Sequence, residues 1–138
     1  MTQRFRGVGI VAGRAEGTAM VTRENLAFAM VDPATGIVKQ PNHPWFGRSI
    51  AGKVIVFPSG QGSSSGSYWL LNLGHEGKAP AAIVNVQCDA VIIAGAVLAG
   101  IPLLQRLTPD PFTHLRDGDP LRVDGDTGDV EVPRRPDP

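Results

Sequence analysis

The sequence contains little of what several large classes of protein require. One cysteine among 138 residues excludes an internal disulfide framework, and also an iron–sulfur or cysteine-ligated zinc site built by this chain alone. Thirteen basic residues balance thirteen acidic ones, whereas proteins that track nucleic-acid phosphates normally carry a basic excess. No apolar run approaches the length of a membrane span, and the N-terminus lacks the apolar core of a signal peptide. We therefore expect a cytoplasmic protein that binds neither nucleic acid nor a membrane.

Glycine and proline are abundant instead. The chain has 17 glycines and 12 prolines, well above average usage, which favours frequent turns and short elements. Hydrophobic residues make up 42% of the chain, enough for one core at this length. We predict a single domain over residues 1–132, followed by a disordered tail at 133–138.

Short apolar segments separated by turn residues predict a mixture of strands and helices. The predicted strands lie at residues 8–11 and 19–22, around a turn at 13–17, and at 53–57, 81–86 and 101–104. Hairpin turns are predicted at residues 32–36 and 125–128. Residues 68–73 are apolar without β-branching, which favours a helix capped by a serine, whereas residues 90–98 fit either a strand or a helix.

A Gly/Ser loop, residues 58–67, joins a predicted strand to a predicted helix. Its glycines let backbone N–H groups point inward, and the helix N-terminus adds partial positive charge, so a negative group is expected there. The loop lacks the lysine of a Walker A motif, and the chain is too short for the second half of a dinucleotide fold. Residues 62–66 match a nucleophile elbow, with Asp89 and His114 as candidate partners, but a hydrolase sheet needs a longer chain.

The loop and its surroundings resemble the signature of the aconitase X small subunit. The resemblance is carried by residues 52–68, 77–84 and 94–103, with residues 32–36 and the His43-Pro44 pair upstream. It covers roughly residues 5–132 in order, and this ordered set of segments is more specific than the loop alone.

The resemblance implies a fold, a partner and a set of site residues. The implied fold is an α/β swivelling β/β/α domain, as in the mobile domain of aconitases, with a mixed sheet and short helices. The implied partner is a large subunit that holds an iron–sulfur cluster and most of the pocket, so this chain supplies no metal ligand. Ser63 is the implied proton acceptor, and the residues implied to shape the loop or contact substrate are Gly60, Gly62, Ser64, Ser65 and Gly66.

The family's known reactions are dehydrations of small hydroxy acids. The resemblance leaves open cis-3-hydroxy-L-proline and mevalonate 5-phosphate as substrates, and a non-catalytic assembly or regulatory subunit as a further alternative. Gln61 stands where archaeal members often carry arginine, and no basic cluster lies beside the loop for a phosphate. We therefore expect the small subunit of a cis-3-hydroxy-L-proline dehydratase, with the phosphomevalonate dehydratase as the alternative.

A serine base requires help from outside this chain. Ionising a serine hydroxyl at neutral pH costs about 8 kcal/mol, whereas a helix N-terminus contributes about 0.3–1 kcal/mol, or ~2 when partly buried. A cation from the partner is therefore expected, and the isolated chain should be inactive. The same fold also serves phosphohistidine carriers, but no histidine lies near the glycine at Gly95 that would correspond to their loop.

Overall fold

The computed structural model describes residues 3–61 and 65–133, and within these ranges seven strands close into a barrel. The strands are β1 (Gln3–Val11), β2 (Arg14–Val21), β3 (Val54–Val56), β4 (Ala82–Asn85), β5 (Leu103–Thr108), β6 (Pro120–Asp124) and β7 (Asp129–Val132). The helices are α1 (Gly66–His75), α2 (Ala90–Ala99) and the short α3 (Pro111–His114), with a 3-10 turn at Phe28–Met30. None of the helices in the described ranges is long and apolar enough to cross a membrane.

The barrel combines a parallel half with an antiparallel half. The strand order is β1-β5-β4-β3-β2-β6-β7, with β7 returning to β1. Strands β2, β3, β4 and β5 run parallel to one another. Strands β1, β6 and β7 complete the barrel through antiparallel pairs with each other and with β2 and β5. Because α1 connects β3 to β4 and α2 connects β4 to β5, both helices lie on the same outer face of the parallel half. This mixed sheet with short helices is the architecture that the sequence predicted.

Each parallel strand is buried on both faces. Val54 and Val56 of β3 pack inside the barrel, whereas Ile55 and the following Phe57 pack outward against the helices. Strands covered on both sides read as continuous apolar runs, which is why residues 53–57 were recognisable as a strand.

The predicted turn at residues 13–17 is wrong. Both strands are longer than expected, so Arg14 to Gly17 belong to β2 and the connection is confined to Ala12 and Gly13. A Cβ at Gly17 would lie 2.8 Å from the Gly52 carbonyl oxygen. This glycine therefore marks a close backbone approach inside the sheet rather than a turn.

The predicted helix and hairpins are present. Helix α1 extends the prediction by two residues at each end. Ser65 is its N-cap residue, and among the described residues its side chain accepts no capping hydrogen bond from a helix N–H. The ambiguous segment forms α2, which ends at Gly100 with φ 69°. Hairpin β6–β7 surrounds the predicted turn, and a bridge between Val31 and Val38 closes the turn at 32–36. Residues 134–138 of the predicted tail lie outside the described residues.

A buried histidine gives the fold a testable pH dependence. His43 is buried, and its Nδ1 accepts a hydrogen bond from the Trp45 backbone N–H at 2.9 Å. Burial lowers the pKa of His43 below its ordinary value, and the Asn25 backbone and the Glu24 charge offset this only in part. The neutral imidazole therefore favours the folded state. Because the unfolded histidine takes up its proton near pH ~6.5, stability should fall as the pH drops below that value.

Urea unfolding at about pH 7.5 and about pH 5 tests this expectation. The free energy of unfolding should decrease from the higher to the lower pH, and this decrease should be smaller in His43→Gln than in the wild type. The exposed His75 is the control, and His75→Gln should keep the wild-type difference. Equal differences in all three proteins would contradict the expectation.

Candidate functional site

The described residues of the Gly/Ser loop, 58–61 and 65–67, lie at the carboxyl edge of the parallel strands, beside the start of both long helices. It follows β3, and the segment from Val86 to Asp89 follows the neighbouring β4 at the same edge. Ligand sites of open parallel sheets form at this edge, where strand ends and helix N-termini converge. Although this sheet closes into a barrel, its parallel half offers the same arrangement.

The two helices run in the same direction because each connects two parallel strands, and small residues let them approach closely. A Cβ at Gly95 of α2 would lie 2.9 Å from Leu70 Cδ2 and 3.1 Å from the Ser67 backbone. A Cβ at Gly66 would lie 3.0 Å from Val91 Cγ1, at the start of both helices. The N-termini of α1 and α2 are therefore adjacent, and their partial positive charges act on one small region.

Asp89 joins the loop to the start of α2. Its Oδ1 accepts a hydrogen bond from the Ile92 N–H at 2.9 Å, which caps the helix. Its Oδ2 accepts from the Gly60 N–H at 3.1 Å and, at 3.5 Å, from the Ser59 hydroxyl. The sequence named Asp89 only as a partner in the hydrolase alternative. The available signal was an aspartate directly before an apolar helix, which is a preferred N-cap.

A second attachment holds the loop from the other side. The Leu26 N–H donates to the Ser59 carbonyl at 3.2 Å, and the Gln61 N–H donates to the Leu26 carbonyl at 3.1 Å. The loop is thus fixed on both sides up to Gln61. Of the predicted site residues, Gly60, Ser65 and Gly66 lie here at the helix start, whereas Gly62, Ser63 and Ser64 lie outside the described residues.

A cavity of about 220 Å³ opens beside the loop. It is lined by Gly60 and Gln61 of the loop, by Gly66 and Asp89 at the helix starts, and by apolar side chains behind them. Among the described lining residues, Asp89 is the one charged group. The cavity is therefore lined by a few polar groups over an apolar base, and the Asp89 carboxylate lies at the helix starts that form part of its lining.

Gly60 has no room for a side chain. A Cβ there would lie 2.6 Å from Asp89 Oδ2 and 2.9 Å from Ile92 Cδ1. We expect Gly60→Ala to displace the loop or Asp89, at a cost of about 1–3 kcal/mol in the free energy of unfolding. Chemical denaturation measures this, with Gly74→Ala as the matched control, because its Cβ would meet Ala99 Cβ at an ordinary 3.4 Å. The control should be neutral or stabilising, and equal losses in both variants would contradict the close packing at Gly60.

The residues at this site do not fit an iron–sulfur cluster. Cys88 is the one cysteine of the chain, and burial, followed by the Asp89 charge, raises the pKa of its thiol to about 12. A thiol in that environment stays protonated, whereas cluster ligation needs thiolates. Within residues 3–61 and 65–133, no three His, Cys, Asp or Glu side chains are grouped so that they could hold a metal ion.

Known proteins match this chain over nearly its whole length. The model of the aconitase X swivel domain family matches residues 4–132. The phosphomevalonate dehydratase small subunits of Methanosarcina mazei and Archaeoglobus fulgidus are 42% and 43% identical to this chain. Each alignment covers 94% of this chain, with 90% of the M. mazei protein and 98% of the A. fulgidus protein.

Solved structures agree with the sequence matches. A crystal structure of Thermococcus kodakaraensis aconitase X in its holo-form superimposes with a TM-score of 0.90 at 39% identity, over 96% of this chain and 99% of the other. A solution NMR structure of a UPF0107 protein gives 0.85 at 42% identity, over 96% and 100%. The resemblance seen in the sequence is thus confirmed across the domain. The chain belongs to the aconitase X swivel domain family and is the small subunit of an aconitase X-type dehydratase.

Proposed function

We propose that this chain is the small subunit of a dehydratase that acts on mevalonate 5-phosphate. The observation that carries the proposal is the set of relatives named phosphomevalonate dehydratase small subunit, which are 38–43% identical over most of the chain. This reverses the order in which the sequence alone placed the two substrates, since the absence of a basic residue near the loop had favoured cis-3-hydroxy-L-proline.

The proposed chemistry places the base on this chain. The ionised Ser63 takes the proton from the carbon next to the substrate carboxylate, and the hydroxyl on the adjacent carbon leaves as water with a proton from solvent. Ser63 then returns its proton to solvent. The N-terminus of α1 favours a negatively charged oxygen near the loop, whereas the N-terminus of α2 is already capped by the Asp89 carboxylate. Gly60 and Gly66 let the loop approach Asp89 and α2 closely, and Ser64 and Ser65 donate hydrogen bonds to the substrate.

The proposal assigns the iron–sulfur cluster to the large subunit. The single protonated cysteine and the donor set of the described residues support this division. The large subunit then also supplies the positive charge that a serine base needs, so the small subunit alone should have no activity.

One observation favours cis-3-hydroxy-L-proline as a second candidate. The described lining of the cavity contributes a carboxylate, Asp89, and no lysine or arginine. A carboxylate attracts the ring ammonium of hydroxyproline and repels a phosphate, which normally binds arginine or lysine. For mevalonate 5-phosphate, the phosphate site must then lie at the helix N-termini or on the large subunit.

Mass spectrometry of water loss distinguishes the two substrates. The chain is co-expressed anaerobically with its large subunit, and both compounds are offered in parallel. We expect turnover of mevalonate 5-phosphate. Turnover of cis-3-hydroxy-L-proline alone would overturn the proposal in favour of the second candidate, and turnover of neither by a complex with an intact cluster would discard both substrates.

A further inference from the structure

Helix α2 has an unusual composition for a helix at the surface. None of the ten residues of Ala90–Ala99 has a polar or charged side chain. A helix that is apolar all round is normally buried all round. In this chain, Ile92, Gly95 and Ala96 pack inward, but the opposite side of the helix is exposed.

The exposed side forms one continuous stripe. Val97 and Leu98 are 60% and 61% exposed. Ala90 and Ala94, nearer the N-terminus of the helix, are exposed as well. These four positions recur at the spacing of one helix face, and we call them the α2 stripe. Val8 is a further exposed apolar side chain, on strand β1. Val8 pairs with Gln105 of β5, so the two side chains lie on the same face of the sheet. The Gln105 side chain accepts a hydrogen bond from the Cys88 N–H, which places both on the face that carries the helices.

The α2 stripe begins at the candidate site. Its first residue, Ala90, directly follows Asp89, which binds the loop through Gly60. Leu98 lies about 12 Å farther along the helix at ~1.5 Å per residue. A standard protein interface covers about 800 Å² on each partner, which corresponds to a disc of roughly 16 Å radius. A partner seated over the loop therefore reaches the whole stripe.

We infer that the α2 stripe is the docking surface for the large subunit. The inference rests on the proposed function in one respect, that the partner completes the site beside the loop. A charge-free apolar face is typical of an interface core, where charged residues are depleted. A second copy of this chain is the weaker occupant, because its single cysteine adds no ligand set for the cluster that the site needs.

The test measures binding, not activity. Val97→Glu/Leu98→Glu places two carboxylates on the α2 stripe, and its affinity for the purified large subunit should fall at least about tenfold, because a buried unpaired charge is costly. Thr18→Glu is the matched control, since Thr18 is exposed on β2, which β3 and β4 separate from β5. Ala94→Arg adds bulk at an exposed alanine, and its affinity should also fall while its melting temperature stays at the wild-type value.

The outcomes separate this inference from the proposed function. Wild-type affinity in both stripe variants overturns it. So does an isolated chain that dimerises through the stripe while the large subunit binds all variants equally. If the wild-type complex forms and the stripe variants weaken it, but neither substrate turns over, the docking surface stands and the proposed function fails.

Discussion

Replacing Ser63 with alanine is expected to lower kcat of the assembled dehydratase about 10²–10⁴-fold, the range for loss of a general base. KM should change little, since alanine still allows the substrate to bind. The reason is that dehydration requires removal of a carbon proton, and Ser63 is the proposed acceptor. Steady-state kinetics of the co-purified complex, normalised to its cluster content, measures the effect.

Ser59→Ala is the matched control for this experiment. It makes the same change four residues earlier in the loop, at a hydroxyl that lies 3.5 Å from Asp89 Oδ2. We expect less than about a tenfold loss of kcat there, below the range for a base. Equal kcat values for Ser63→Ala and the wild type would remove Ser63 from the reaction and leave an assembly role for the loop.

Replacing Asp89 with alanine is expected to destabilise the small subunit and to disorganise the site together. Loss of the α2 cap lowers the free energy of unfolding by about 0.5–2 kcal/mol. Leaving the partly buried Gly60 N–H without its acceptor lowers it by about 1–3 kcal/mol. The free energy of unfolding should fall by about 2–4 kcal/mol, with kcat falling in the complex. Thermal unfolding of the isolated chain and kinetics of the complex provide the two readouts.

Two further variants separate the cap from the attachment of the loop. Asp110→Ala removes the exposed cap of α3, where Asp110 Oδ1 accepts the Phe112 N–H at 2.9 Å, and should leave kcat unchanged. Asp89→Asn keeps one oxygen to cap α2 but turns an amide donor toward the Gly60 N–H. The loss in the free energy of unfolding should therefore be smaller than in Asp89→Ala, whereas kcat should still fall. Wild-type kcat in Asp89→Asn would show that Asp89 acts only as a cap.

The sequence predicted the fold well where patterns are local. Residues 53–57 indicated a strand because both faces are covered, and the β6–β7 hairpin followed from its turn residues. The turn at 13–17 failed because Gly17 serves a close approach to Gly52, a contact between segments far apart in the chain. Residues 90–98 stayed ambiguous because a segment without polar residues has no periodicity to separate helix from strand.

The candidate site was predictable in part for the same reason. The Gly/Ser loop was visible as a local motif, and the resemblance added Ser63 to it. The attachment by Asp89 joins the ends of two neighbouring strands and was missed, since it depends on how β3 and β4 pair. The sequence ranked the two substrates on the charges of one subunit alone, whereas the proposed substrate would bind its phosphate at the helix N-termini or on the large subunit.

Reconstitution from separately purified subunits tests the central claim, that the site is divided between two chains. The large subunit is prepared anaerobically under conditions that preserve an iron–sulfur cluster, and the small subunit is titrated into it with mevalonate 5-phosphate present. We predict no water loss from either subunit alone, and activity that rises with the small subunit until it saturates. Turnover by the 138-residue chain alone, without the large subunit and without iron, would contradict the account.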